Sequence, residues 1–282
     1  MDLKSNKISF FALAIMMFAA ALLGSCGSGT ASAEASASDN DTTEVDEVKV
    51  VFDSVSFSDK ADFGDRGSVA LSWKAIVPAT TGGAYADSIR DWVVGQFGCD
   101  LENPNASLDY VIEETGKANF EMLKQVAKGL MAEDDEDGGE GYDYVFEDGT
   151  DITILYEDDE YITMVAYDYA YDADIHAQEF ERGVTFRKSD GHVMGWDLFG
   201  DMTQKEINSK ILDGLVGYFE LESVEDLYKS EYLFDDVVDA DEFPMPETAP
   251  YLVEDGVVCI YQQYEIAPYE AGMPNCVIKV KR

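Results

Sequence analysis

A chain of 282 residues with 58 acidic and 19 basic side chains, net charge −39, sets up a field that repels nucleic acid and anionic membrane surface. The same field speeds encounter with cationic partners and favours solubility. With 46% hydrophobic and 12% aromatic residues the chain is no disordered acidic tail, so the acid coats a real core.

The N-terminus places Lys4 and Lys7 ahead of an apolar run, Ile8 to Leu23, interrupted only by Ser9. That run is short for a spanning helix and has the basic-then-apolar layout of a secretory signal. It closes on Leu23-Gly24-Ser25-Cys26, which resembles the bacterial lipobox, where cleavage before the cysteine frees it for acylation. Residues 1–25 are therefore expected to be a lipoprotein signal peptide and Cys26 the lipidated residue; an uncleaved anchor helix is the alternative. Position 27 is Gly, not the Asp of inner-membrane retention, which favours an outer-membrane anchor in the cell envelope, facing periplasm or cell surface. Residues 26–46 are small, polar and then acidic, with no large apolar residue before Val45. They cannot bury enough surface to offset their ordering entropy and read as a disordered tether.

The folded part divides on this reading into an N-terminal α+β half, 47–145, and a C-terminal domain, 146–282. Val48–Phe57 and Ser68–Val77 are rich in β-branched and aromatic residues and predict strands. The second alternates through Val69, Leu71, Trp73, Ala75 and Val77, a sheet with one buried face. Tyr85, Ile89, Trp92, Val93 and Phe97 recur at helical spacing, and Gly98 suits the C-terminal cap. A second helix carries Phe120, Leu123, Ala127, Leu130 and Met131 on one face and runs into the acidic stretch Glu133–Glu140.

A β meander follows, with strands at Asp151–Glu157, Tyr161–Tyr171 and Glu179–Lys188 and a hairpin signal at Ser189-Asp190-Gly191. Thr203-Gln-Lys-Glu206 has the capping-box pattern, opening a helix that buries Ile207, Ile211 and Leu215. A short helix near Val224–Phe234 comes next, and Glu254-Asp255-Gly256 turns the final hairpin. That hairpin leads into Tyr261-Gln-Gln-Tyr-Glu-Ile-Ala-Pro-Tyr-Glu-Ala-Gly-Met-Pro274, too apolar for a solvated linker. Ala267 and Met273 each precede proline and are biased to extended backbone, so the segment reads as an ordered loop pressed onto a sheet. The whole is α+β: a mostly antiparallel sheet with helices packed on one face.

Motifs for chemistry are sparse. The two histidines, His176 and His192, lack zinc-ligand companions, and neither a nucleophile elbow nor a phosphate loop is present. Carboxylate pairs are abundant but none stands out as a glycosidase pair. The Glu133–Glu140 run fails as a calcium loop, since Tyr144 stands where the bidentate Glu belongs. No cofactor and no metal are expected. Besides Cys26, Cys99, Cys259 and Cys276 allow one bridge, between Cys259 and Cys276 across the Tyr261–Pro274 loop; three buried thiols are the other reading.

Gln263-Tyr-Glu-Ile-Ala-Pro-Tyr-Glu-Ala-Gly-Met-Pro274 resembles the signature of the RsiV-like domain of unknown function, as do Tyr167–Phe199 with its Asp190-Gly191 turn and the strands of Val257–Val280. Of that family's Gly-Gly-Ala-His, only His176 is matched, in Ala173-Asp-Ile-His176. Residues 48 to 140 look like the smaller domain often found upstream. The family forms the extracytoplasmic part of a lysozyme-sensing anti-sigma factor, precedes a peptidoglycan deacetylase domain, and occurs in lipoproteins of Bacteroides-like bacteria. The resemblance implies a non-catalytic binding or sensing domain on a lipid anchor, with lysozyme, a basic protein, as partner. An accessory domain or enzyme acting on peptidoglycan is the alternative. Tyr264, Glu265 and Tyr269 of the loop, with His176, are the residues expected to carry binding, unless the loop is only a staple between its strands.

Overall fold

The computed structural model describes residues 50–80, 83–99, 106–136, 143–172, 176–238 and 242–281. The expected signal peptide, Cys26, the tether, residues 173–175 and the second half of the acidic run, from residue 137, lie outside them.

β2 (Gly67–Pro78) is the strand on which the first layer is built. Its alternation turns Val69, Leu71, Trp73, Ala75 and Val77 into the core and leaves Ser72 and Lys74 outside or partly covered. β1 (Phe52–Asp62) pairs with its full length, which carries that strand five residues past its predicted end. Two helices then intervene, α1 (Ala84–Gln96) and α2 (Leu108–Glu136), before β3 (Tyr144–Glu157). Because they carry the chain back across the sheet, β3 joins β2 in parallel, the one parallel pairing in the order β1-β2-β3-β4-β5-β6. β4 (Tyr161–Asp172), β5 (Gln178–Arg187) and the two-residue β6 (Val193–Met194) complete an antiparallel meander. The boundary expected between 145 and 146 falls inside β3, which hydrogen-bonds to β2 on one side and β4 on the other; residues 50–282 are one compact unit.

The helices cover one face. Trp73 meets Phe97 with ring centroids 4.8 Å apart, and Trp92 of α1 meets Phe186 of β5 edge-on. α1 ends as expected, with Gly98 at φ +66 just past the cap. α2 begins twelve residues before Phe120. Its early turns bury Leu108 and Ile112, and Gly116 brings the backbone against Phe57: a Cβ there would lie 2.4 Å from the ring. A glycine that reads as a helix breaker is here a close-approach position.

A second sheet covers part of the opposite face. β7 (Tyr251–Val253), β8 (Gly256–Ile260) and β9 (Asn275–Ile278) are antiparallel. Val257, Cys259, Cys276 and Ile278 form a core with Ile207, Ile211 and Leu215 of α3 (Gln204–Tyr218), joined by Leu227 of α4 (Val224–Lys229) and Val237 of α5 (Asp235–Val238). The predicted capping box opens α3: Glu206 N–H donates to Thr203 Oγ1, and Thr203 N–H donates to Glu206 Oε2 at 2.8 Å. Cys259 and Cys276 stand opposite each other in register as free buried thiols, and Cys99 is a partly buried thiol whose Sγ donates to Thr115 Oγ1 at 3.1 Å. Tyr251 joins the two sheets. Its ring lies on Gly183 of β5, where a Cβ would come within 2.1 Å of it, and its hydroxyl donates to the Glu181 carboxylate. Leu252 N–H donates to Thr185 Oγ1 at 2.8 Å, and Thr185 in turn bonds Thr163.

The two interior glycines of α2 make opposite predictions. Gly129→Ala, with open space around it, should stabilise the fold by about 0.5–1 kcal/mol through helix propensity. Gly116→Ala should instead destabilise by about 1–3 kcal/mol, because the methyl overlaps Phe57. Urea denaturation of both variants checks the sign reversal.

Candidate functional site

The Tyr261–Pro274 loop is ordered and pressed down, as its composition predicts. Tyr261 N–H donates to Pro274 O at 2.8 Å and closes its base, while Tyr261 and Ile266 are buried. Tyr261 Oη donates to Pro244 O, Tyr218 Oη to Ala271 O, and Phe234 N–H to Ile266 O. These contacts tie the loop to three separate segments.

Its two glutamines face a bare sheet edge. β6 pairs with β5 only at Thr185 and Phe186, so the outward backbone groups of the preceding residues need partners. Gln262 supplies both kinds: its Oε1 accepts from Glu181 N–H at 3.0 Å and its Nε2 donates to Glu181 O at 2.8 Å. Gln263 Oε1 accepts from Glu179 N–H at 2.9 Å. Side-chain amides thus stand in for a neighbouring strand.

That docking carries Tyr264 to His176. Tyr264 Oη and His176 Nε2 lie 2.5 Å apart, and the His176 and Tyr269 rings meet with centroids 3.8 Å apart. Tyr264 has φ +66, a strained backbone for a bulky residue, and it is 46% exposed. Its phenol is held above its usual pKa by partial desolvation and by the nearby Glu270 charge, so it stays a hydroxyl donor or acceptor. Three of the four residues predicted to carry binding therefore come together as one surface cluster. Glu265 does not join them. Its oxygens accept from Gln262 N–H and Glu247 N–H, each at 2.7 Å, so it braces the loop, and burial outweighs those donors to raise its pKa.

The neighbouring sheet face extends this surface. Tyr167, Tyr169 and Tyr171 alternate along β4 on the side away from the helices. Across the strands they pair with Asp151 and Glu181, with Glu179, and with Glu147 respectively. Tyr167 is 37% exposed, and its hydroxyl bonds the Glu179 side chain. The result is an aromatic stripe flanked by carboxylates, next to the β5 edge where the loop docks. Its signal, Tyr at every second position, is plain in the chain but is equally that of an ordinary strand.

A second titratable group lies on the helix-covered face. Asp168 accepts from Thr150 Oγ1 at 2.7 Å and pairs with Arg182, whose Nε donates to Gln96 Oε1 of α1. Asp148, diagonal to it on β3, has no ion pair among the described residues. Burial, aided by the Asp168 charge, pushes its carboxyl up to about 6. His192 is taken up structurally, 3.1 Å from Asp197, which also accepts from Gly195 N–H. Among the described residues no three of His, Cys, Asp or Glu converge as metal ligands.

Residues 197–281 match the model of a protein family of unknown function, DUF3298, so the chain contains a DUF3298 domain. The matched span holds α3 to β9 and the whole loop. The fold is similar to the crystal structure of a DUF3298-family member from Bacteroides fragilis, at TM-score 0.67 and 17% identity over 82% of this chain and 90% of that one. A DUF3298-family protein from Pseudomonas aeruginosa is similar at TM-score 0.49 and 10% identity, over 81% of this chain and 91% of that one. At 17% identity the likeness to the Bacteroides protein is one of fold. No curated protein matches the chain.

Two predictions follow from this geometry. Asp148 binds its proton more tightly folded than unfolded, so its stabilising contribution is full below about pH 4 and is lost as pH rises through about 6. Asp148→Asn should raise stability at pH 8 by the order of 1–3 kcal/mol and add almost nothing at pH 4, read by urea denaturation at both. Asp168, raised by burial against Arg182 and Thr150, leaves a residual slope of the same sign. In the loop, Gln262→Ala should cost about 1–3 kcal/mol by orphaning the β5 edge, whereas Tyr264→Gly should stay within about 1 kcal/mol because glycine accepts φ +66 freely.

Proposed function

We propose that the protein is a cell-envelope lipoprotein, anchored through Cys26, whose folded part is a non-catalytic binding domain for a basic protein, with lysozyme as the candidate partner. The observation that carries this reading is the acid-flanked tyrosine stripe of β4, continued by Tyr264, Tyr269 and His176. Lys and Arg side chains are amphipathic: their stems lie on aromatic faces and their heads take carboxylates. A surface alternating Tyr167, Tyr169 and Tyr171 with Asp151, Glu179 and Glu181 offers both. The chain's −39 charge steers a cationic protein toward it from a distance. Lysozyme itself is suggested by the likeness of Gln263–Pro274 to the RsiV-like signature.

In a surface-binding measurement with hen lysozyme, binding is expected at about 20 mM salt and should weaken at least ~10-fold at about 500 mM as the charges are screened. Tyr167→Ala and Tyr264→Ala should each weaken it about 10-fold or more without lowering thermal stability, since both residues are exposed. No binding at low salt overturns the proposal. So does equal binding of cytochrome c, a basic protein of different shape, or of isolated peptidoglycan in place of lysozyme.

A further inference from the structure

A cavity of about 510 Å³ opens at one end of the helix-covered layer, within the range of small-molecule sites. The starts of β1 and α2, the end of β2 and α1 enclose it. Val55, Val77 and Leu108 give it an apolar wall, and Asp53 and Asp109 stand exposed at its mouth.

Arg90 of α1 lines this cavity and is 7% exposed. A guanidinium carries five N–H donors and a permanent charge. Here Nη2 donates to Ala106 O at 2.9 Å, and among the described residues no carboxylate forms an ion pair with it. Arg66, Arg182 and Arg187 are each less buried, and each has an aspartate partner. Shortage of carboxylates does not explain the difference in a chain with 58 of them. A buried, unpaired charge costs several kcal/mol and is ordinarily neutralised. Among the described residues no carboxylate supplies that neutralising charge, and the anionic group of a ligand entering the cavity would supply it; Ser107 and Leu108, at the start of the long helix α2, line the same cavity. Asp53 and Asp109 make the mouth hostile to a multiply charged anion and attractive to a cation.

We infer that this cavity binds a small zwitterion of the α-amino-carboxylate class, a free amino acid or dipeptide, with its carboxylate on Arg90 and its ammonium toward Asp53 and Asp109. The apolar wall takes a short aliphatic side chain. This site is on the opposite side of the six-stranded sheet from the tyrosine stripe and does not depend on that reading.

Calorimetric titration of the full-length protein with alanyl-alanine tests it. Saturable binding at or below the millimolar range is expected, with N-acetyl-alanyl-alanine and alanyl-alaninamide each at least ~10-fold weaker. Inorganic phosphate should not compete. Folded Arg90→Gln should lose binding. Should that variant fail to fold, the surface double variant Asp53→Asn, Asp109→Asn serves: it should bind alanyl-alanine ~10-fold more weakly and leave the acetylated peptide unchanged. No saturation by about 10 mM, equal binding of the amide, competition by phosphate, or unchanged affinity in either variant overturns the assignment.

Discussion

The bare outer edge of β5 is the constraint around which the C-terminal part is arranged. A sheet edge exposes backbone donors and acceptors that must be satisfied or shielded. β6 is too short to do it, and a loop does it with two glutamine amides. Because Gln262 matches Glu181 through both N–H and C=O, the loop has one register on the edge. That register sets where Tyr264 stands, and the strained φ of Tyr264 is held by the bonds on either side of it. The exposed cluster is thus built on a rigid support.

Charge is handled differently inside and outside. Outside, acids far outnumber bases and remain solvated, which gives a long-range field but little pairwise stability. Inside, each buried ionic group faces its own local balance. Asp168 has Arg182 and Thr150, Glu265 has two backbone amides, and Asp148 has no counter-charge among the described residues and shifts its protonation. The interior of a very acidic protein is where its few arginines matter most.

Much of this architecture is legible in the chain. The alternation of β2, the helical spacing of α1, the Thr203–Glu206 box and the turns at Gly191 and Gly256 each depend on neighbours a few residues away, and each appears where local chemistry puts it. The start of α2 is hidden because Gly116 answers to Phe57, a residue of another strand. The first half of β3 is hidden because Glu147, Asp148 and Gly149 are poor strand formers, held in the sheet by β2 and β4 on both sides. The loop's aromatic character marks it in advance, yet nothing in its composition tells Tyr264 from Glu265. Only the fold brings His176 to the first and turns the second inward.

The acidic residues of β3 have a meaning in time as well as in space. β4 and β5 reach β3 through short turns, whereas β2 must return to it across two helices. Contacts between distant segments form late because their loops are costly to close. While the meander waits, one long edge of β3 lies open, the kind of surface on which chains stick together. Glu147, Asp148 and Asp151 make that edge a poor template for a second molecule, and Asp148, a burden in the finished fold above neutral pH, guards it during assembly.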